Sequence, residues 1–424
     1  MMNILIIGKG GREHALAWKI KQSPKAGKLW VMPGNGGTNS LGENVSIDPG
    51  DHEKVGRFCV QNKINMVVIG PDEYLANGLT DFLLTKGVRV FGPTKNAARI
   101  EWSKSYAKEF MMEYNIPTAS YKVFNDPKEA IDHLRVGSFP VVIKANGLAA
   151  GKGVVVAHDL PTAEAAVISM LSERVFGEAG SSIVIEEFLE GREISVHAFC
   201  DGNSAVLFPA AQDHKRRFEG DLGPNTGGMG VVAPLSWVTD DLMKRIAREI
   251  VDPAVAALKK RGAPFVGVLY PGIMVTASGP KVIEWNVRFG DPETQAYMPL
   301  LKTDLVDILL ACTEGKIQSA NIEWENFSTC CVSLVSAGYP GPYQTGVEIH
   351  GLDSVSGALV FHAGTALNGG KLTTAGGRVL NAVGEGKTLS DAIKNAYAAA
   401  GRIEFSGREY RADIGRKALQ MSQL

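Results

Sequence analysis

Residues 141–156 read VVIKANGLAAGKGVVV. β-Branched runs flank a glycine-rich centre, a pattern that predicts a strand, a loop and a second strand. Small residues at Gly147, Ala149, Ala150, Gly151 and Gly153 let backbone N–H groups approach an anion, and Lys152 adds charge. This is not a Walker A loop, which has four residues between its glycines and Ser or Thr after its lysine. Here Leu148, Ala149 and Ala150 separate Gly147 from Gly151, and Gly153 follows Lys152. Val154–Val156 then continue as strand rather than helix. The segment therefore reads as a hairpin folding over phosphates, with an ordinary flexible hairpin as the competing reading.

Outward from this loop, the 424-residue chain is long enough for about three domains. Hydrophobic residues at 45% and charged residues at 21% are ordinary for a globular protein. A formal net charge of −1 supplies no global field for nucleic acid or anionic membrane, so neither is expected as a partner. The cysteines Cys59, Cys200, Cys312, Cys330 and Cys331 form no C-x-x-C pair, which argues against a zinc site or disulfide framework. No leader-like segment and no run of about 18 apolar residues is seen, and a cytoplasmic protein is expected.

The first hundred residues alternate apolar strands (Ile4–Ile7, Leu29–Met32, Met66–Ile69, Val88–Phe91) with helical stretches, and each strand ends in Gly or Pro-Gly. That is the mark of a parallel βαβ sheet, whose ligands bind beyond the carboxyl ends of the strands. The first such loop, Gly8–His14 (GKGGREH), falls short of a dinucleotide fingerprint because Glu13 takes the third glycine position. Its helix N-terminus suits a phosphate or polar group, with Gly10, Gly11, Arg12, Glu13 and His14 at hand; tight strand-to-helix packing is the alternative. Residues 95–115 are expected to be helical. Strands are expected at Phe265–Tyr270, Ile273–Thr276 and Lys281–Asn286, and a helix from Leu389 to Ala400 with Thr388 as N-cap.

Lys144 lies on the strand entering the glycine loop, where an unpaired lysine is costly to bury. It reads as a phosphate ligand or a snorkelling edge lysine, and Lys104 is a second candidate. Ile183–Leu189 is a strand ending in Glu186, Glu187, Phe188 and Leu189. Backbone groups there can bond an adenine edge, and Glu193 a ribose hydroxyl; a solvated acidic turn competes. Asp213, His214 and Lys215 form a polar run ahead of GPNTGGMG (Gly223–Gly230), whose backbone donors at Asn225, Thr226, Gly227 and Gly228 suit an anion. In VIEWNVRFGDPET (Val282–Thr294), period two puts Glu284 and Asn286 on one face, and Arg288 with them if the strand continues. Glu and Asn oxygens suit a hard cation such as Mg²⁺, and Arg288 suits a carboxylate held bidentately. Together these residues point to ATP activating a carboxylate as an acyl phosphate that an amine attacks.

In this order, GKGGREHAL, PGNGG, IKANGLAAGKGV, AQDHKR, GPNTGGMG and NVRFGDPETQ resemble the phosphoribosylamine–glycine ligase (glycinamide ribonucleotide synthetase) family of the ATP-grasp superfamily, over essentially the whole chain. The resemblance implies an α/β and α+β multidomain fold. It comprises an N-terminal parallel βαβ domain (1–102), an ATP-grasp domain in two lobes (103–325, the mobile lobe about 118–190) and a C-terminal α+β domain (326–424). It implies ligation of glycine to 5-phosphoribosylamine with ATP and Mg²⁺ or Mn²⁺, by a monomer or weak homodimer. Carried over residue by residue, Glu284 and Asn286 match the metal ligands, and Lys104, Lys144 and Gly147–Val154 the ATP phosphate contacts. Glu186–Leu189 with Glu193 match the adenine and ribose contacts, and Arg288 the glycine clamp. Catalytic roles fall to Arg288, Lys144, Asp213 and Lys215. Gly10–His14, Asn225–Gly228 and Asp291 serve the amine substrate or glycyl phosphate. Trp102, Asn146, Arg192 and Trp285 depart from the usual pattern. The alternatives are another ATP-grasp carboxylate–amine ligase or carboxylase, and a nucleotide-binding protein without catalysis.

Overall fold

The computed structural model describes residues 1–149 and 153–421. Its first sheet is parallel, in the order β3-β2-β1-β4-β5, formed by β1 (Met2–Gly8), β2 (Ala26–Pro33), β3 (Glu43–Asn44), β4 (Met66–Ile69) and β5 (Arg89–Phe91). Ile4–Ile7 are completely buried, as expected of a strand covered on both faces. The chain leaves β1 for β2 and β3 on one side, then returns to β4 and β5 on the other. The crevice of such a sheet lies where that order reverses. The loops leaving β1 and β4 therefore meet, bringing Gly8–His14 against Gly70–Asp72.

A second, antiparallel sheet has the order β6-β9-β7-β8, from β6 (Tyr121–Phe124), β7 (Val141–Ala145), β8 (Val154–Ala157) and β9 (Ile183–Glu187). The expected hairpin is present: β7 and β8 pair from Val141↔Ala157 to Lys144↔Val154. The helices Pro127–Arg135 and Leu160–Val167 cover this sheet. Phe124, Leu134, Ile143, Val167 and Ile185 give it an apolar core separate from the others.

Beyond it run β10 (Arg192–Ser195), β11 (Ala198–Asp201), β12 (Ala205–Leu207), β13 (Gln212–Asp213), β14 (Arg216–Phe218), β15 (Leu222–Asn225) and β16 (Gly230–Ala233), then the long hairpin of β17 (Val266–Thr276) and β18 (Gly279–Asn286). Strands β10, β17, β11 and β12 form one sheet, with β18 against β17. The two strands expected at Phe265–Tyr270 and Ile273–Thr276 are thus a single strand. Its Pro271-Gly272 pair, which reads as a breaker, sits beside a bulge where Gly272 faces Glu284 but Ile273 faces Val282.

The remaining strands are β19 (Ser328–Ser336), β20 (Ala358–His362), β21 (Thr365–Asn368), β22 (Lys371–Thr374), β23 (Arg378–Gly386) and β24 (Arg408–Glu409). A sheet ordered β13-β16-β19-β23-β20 crosses residue 326 without a break, because β16 pairs antiparallel with β19. One apolar core accordingly takes Ile4, Phe199, Tyr297, Cys331 and Val383 from distant parts of the chain. The helix Leu389–Ala400 has the expected N-cap, the Thr388 side chain accepting from Asp391 N–H at 3.1 Å. All five cysteines are buried and free. Among the described residues no helix is long and apolar enough to cross a membrane.

Candidate functional site

The bulge in β17–β18 shapes the centre of the site. Ile283 is the extra residue there, and its carbonyl accepts Lys144 Nζ at 2.7 Å. Lys144 is buried, neither unpaired nor snorkelling: its ammonium also lies 3.0 Å from Glu186 Oε1. Lys108, which the motifs did not reveal, reaches the same carboxylate at 3.0 Å. Burial, opposed by Glu186, lowers the Lys108 pKa to about 8. Glu187 faces the other side, accepting Ser120 N–H at 3.0 Å and pairing with Lys281. Alternation along β9 thus separates the adjacent acids, one beneath the cleft and one at the surface.

Glu284 and Asn286 share the cleft face of β18. Lys215 bridges Glu284 at 2.8 Å and Glu193 at 2.6 Å. Lys215 holds the Glu284 pKa down at about 2, against the effect of burial. Burial acts against the Lys215 ammonium, but Glu193 and Glu284 outweigh it and hold Lys215 charged. β18 ends at Asn286, so Arg288 does not continue its alternation. Instead the chain turns, and Arg288 folds back to donate through Nη2 to Asn286 Oδ1 at 2.9 Å. Glu101 fixes this turn: its Oε2 accepts Val287 N–H at 2.7 Å and its Oε1 lies 3.2 Å from Arg288 Nη2. Burial, offset by Arg288, raises the Glu101 pKa to about 7. Arg288 Nε is buried with no hydrogen-bond partner among the described residues.

Lys104 begins the helix Lys104–Glu113 and donates to the Gly147 carbonyl at 3.0 Å, at the entry of the glycine loop. Burial lowers its pKa. Asn146 does local work: its side-chain oxygen accepts Ser105 N–H at 2.8 Å and its carbonyl accepts Lys104 N–H at 3.0 Å. Leu148 and Ala149 are half-buried and Gly153 is buried, its α-carbon face against Ala149 and Ala145. The expectations for Ala150, Gly151 and Lys152 lie outside the described residues. Val154 continues into β8, Leu189 is buried and Phe188 is exposed.

The glycine loops meet on the opposite side of Arg288. At the N-terminus of α1 (Gly11–Lys21) one expected donor, the Gly10 N–H, is already used within the protein. Glu13's own carboxylate accepts Gly10 N–H at 2.6 Å and Arg12 Nε at 2.5 Å. Arg12 in turn donates to the Phe289 carbonyl at 3.2 Å, and His14 Nδ1 accepts His362 N–H at 2.7 Å. The Gly223–Gly230 donors are likewise largely committed. Thr226 N–H goes to the Lys215 carbonyl, Gly227 N–H to Tyr339 Oη at 3.0 Å and Gly228 N–H to Thr226 Oγ1 at 3.0 Å. Gly228 has φ +113°, and a Cβ there would meet Asp213 Oδ1 at 2.8 Å, so only glycine fits between the two segments. Asn225 pairs with Arg216 across β14–β15. Asp291 accepts Gln295 Nε2 at 2.7 Å and Arg378 Nη2 at 2.9 Å. Arg378 and Arg12, working against burial, keep the Asp291 carboxyl below its usual range.

Beneath lies a buried polar layer that the motifs did not reveal. Glu293 Oε1 accepts Tyr270 Oη at 2.5 Å and Ser195 Oγ at 3.1 Å. Burial, and then the Glu293 charge, push the Asp213 carboxyl well above its usual range. His197, completely buried, stacks on Tyr270 with ring centroids 3.9 Å apart. Tyr270 and Ser195 sit in strands, and His197 between β10 and β11, where the sequence reads only as apolar alternation, so no local signal marked them.

Glu284 and Asn286 offer a cation two hard oxygens, one from an ionised acid. No cluster of three or more His, Cys, Asp or Glu side chains is poised for a metal among the described residues. Such a donor set fits an ion that keeps waters and phosphate oxygens for the rest of its shell, as Mg²⁺ does.

The β-hairpin lobe and the strand carrying the acid and amide both lie in a region that matches an ATP-grasp domain. Residues 102–294 match the ATP-grasp (A) domain of phosphoribosylglycinamide synthetase, residues 2–101 its N domain and residues 329–417 its C domain. The chain belongs to the phosphoribosylglycinamide synthetase family. Phosphoribosylamine–glycine ligase of Mesorhizobium japonicum is 46% identical over 420 residues, 99% of each chain. The trifunctional purine biosynthetic protein adenosine-3 of Homo sapiens is 46% identical over 426 residues, 99% of this chain and 42% of that protein. The crystal structure of phosphoribosylamine–glycine ligase from Thermotoga maritima aligns with a TM-score of 0.86 at 36% identity, over 97% of this chain and 100% of that one. The biotin carboxylase of Campylobacter jejuni, at 15% identity and a TM-score of 0.71, shares the fold over 100% of this chain and 95% of its own.

Proposed function

We propose that this chain joins glycine to 5-phosphoribosylamine at the expense of ATP, giving glycinamide ribonucleotide, ADP and phosphate in purine synthesis. The observation that carries this reading is the convergence of Glu284, Asn286 and Arg288 at the end of β18 with Lys104, Lys144 and Lys215. Lys104 and Lys144 face the ATP phosphates, Glu186–Leu189 and Glu193 the adenosine, and Arg288 the glycine carboxylate. A carboxylate oxygen attacks the γ-phosphorus, the new O–P bond forms and ADP leaves. The amine nitrogen of 5-phosphoribosylamine then attacks the acyl carbon. The C–N bond forms, the C–O bond to phosphate breaks, and the amine proton passes to the Asp213 carboxylate. Lys215 keeps Glu284 ionised beside the reacting phosphate. Glu284 and Asn286 would hold Mg²⁺ or Mn²⁺; when bound, the ion supplies positive charge against the phosphate oxygens. Gly10–His14, Asn225–Gly228 and Asp291 line the amine side.

We further read the chain as divided at 1–102, 103–325 and 326–424, with the lobe at about 118–190 moving over ATP. A separate apolar core supports that lobe as a unit of its own. A cytoplasmic monomer or weak homodimer without nucleic-acid or membrane partners fits a net charge of −1. The test is ADP release by the purified protein, which should require glycine and 5-phosphoribosylamine together. Release supported by bicarbonate in place of glycine, or release indifferent to any amino acid, would overturn the assignment.

A further inference from the structure

Arg378 opens β23, and the sheet order β16-β19-β23 carries it from the C-terminal part of the chain to the amine side of the site. Its Nη1 donates to the carbonyls of Gly227 at 2.5 Å, Asp291 at 2.7 Å and Gly228 at 3.4 Å. Its Nη2 pairs with Asp291 Oδ2 at 2.9 Å. The guanidinium therefore ties the GPNTGGMG loop to the RFGDPE turn, two segments that also pack closely where Gly228 meets Pro292. A Cβ on Gly227 would stand 3.1 Å from Arg378 Cζ, so this glycine lets the guanidinium lie flat on the backbone. Tyr339, also C-terminal, grips the same residue from its other side, taking Gly227 N–H at 3.0 Å. Asp291 in turn lies 3.1 Å from the place a Cβ would take on Gly10, so the clamp extends to the first glycine loop.

None of these bonds touches Lys104, Lys144, Glu186 or Glu284. Nη1 and Nη2 end on protein oxygens, so Arg378 holds the loop in place rather than offering those donors to an anion. We propose that Arg378, assisted by Tyr339, is a positioning residue for the second half of the reaction, amine attack on the acyl phosphate, and not for the first. The proposal rests on the function given above. A guanidinium with planar, multiple donors is needed, because an ammonium cannot reach two carbonyls and a carboxylate in one plane.

The two halves can be read separately. With glycine but no amine substrate, reversible acyl-phosphate formation scrambles heavy oxygen between the β,γ-bridge and β-nonbridge positions of labelled ATP; ligation is followed by product formation. Arg378→Ala should lower kcat/KM for 5-phosphoribosylamine about 100-fold, the cost of roughly an ångström of misplacement, while glycine-dependent scrambling stays within about threefold. Arg378→Lys should lose about as much, and Tyr339→Phe should shift ligation the same way by less. These two variants keep the test available if Arg378→Ala fails to fold. Loss of scrambling in step with ligation, or ligation unchanged in Arg378→Lys, would overturn the positioning role. Absence of glycine-dependent scrambling in the unmodified protein would instead count against the proposed function itself.

Discussion

His14 joins the first glycine loop to the C-terminal sheet in a way that requires it to be neutral. Its Nδ1 accepts the His362 backbone N–H at 2.7 Å, and a proton on that nitrogen would abolish the bond and face the N–H directly. Burial, with a smaller contribution from His362, lowers its pKa to about 3. The unfolded chain titrates near 6.5, so between these values the unfolded state binds the extra proton and stability falls as pH falls. From pH 7.5 to 5.5 the unfolded histidine goes from about one-tenth to about ten-elevenths protonated, while the folded one stays neutral. The loss attributable to this residue is about 1.4 kcal/mol over that interval. Glu101 titrates over the same range in the opposite sense, so the total pH dependence does not isolate His14. A difference does. In His14→Asn the amide oxygen can occupy the place of Nδ1 but cannot titrate. The lost ring contacts with Phe361 and His362, at centroid distances of 5.7 and 5.2 Å, add a cost that does not depend on pH. Urea unfolding of both proteins at the two pH values should show the variant's stability deficit shrinking by about 1.4 kcal/mol at pH 5.5. A deficit that stays constant, or grows on acidification, would refute a neutral His14 at this joint.

Arg288→Ala should raise KM for glycine about 100-fold, the worth of a charge-assisted carboxylate contact, with KM for ATP unchanged. Steady-state kinetics showing equal effects on both substrates would remove the assigned role. Glu284→Ala should abolish turnover at any Mg²⁺ concentration while leaving circular dichroism unchanged, and normal kinetics would exclude it from metal binding. Glu186→Leu strips Lys108 and Lys144 of their shared counter-charge and should cost about 3–5 kcal/mol. A denaturant midpoint like that of the unmodified protein would mean the triad is not a stabilising unit.

What could be read from sequence was local. The strand–loop–strand pattern at 141–156, the glycine-ended strands of the first sheet and Thr388 as N-cap depend on neighbours within a few residues, and each is present. Glu284 and Asn286 share a face because period two needs no tertiary information. Arg288 fails the same rule, since the turn after Asn286 is imposed by Glu101, distant in sequence. Arg378 heads a strand whose pattern marks it only as half-exposed. Its reach into the site follows from β16 pairing with β19, which no local signal specifies. Free donors were expected at Gly10, Gly227 and Gly228, but glycine pattern says where a backbone can approach a ligand, not whether the protein's own oxygens have already taken its N–H groups.

Those internal oxygens explain how the site exists without substrates. Three of the cations suited to an anionic ligand are already faced by a carboxylate, Lys144 by Glu186, Lys215 by Glu193 and Glu284, and Arg288 by Glu101, and the positioning Arg378 is held by Asp291 in the same way. Buried cations without such partners would lose their protons or unfold the cleft. With them, side chains are fixed before ATP arrives, and preorganised charge is worth more than charge assembled on binding. Burial, offset by Arg288, raises the Glu101 pKa to about 7. If Arg288 clamps the glycine carboxylate as proposed, Glu101 would take up a proton at little cost when that carboxylate replaces it. The same residue that holds the arginine for an incoming acid is thus able to yield its place.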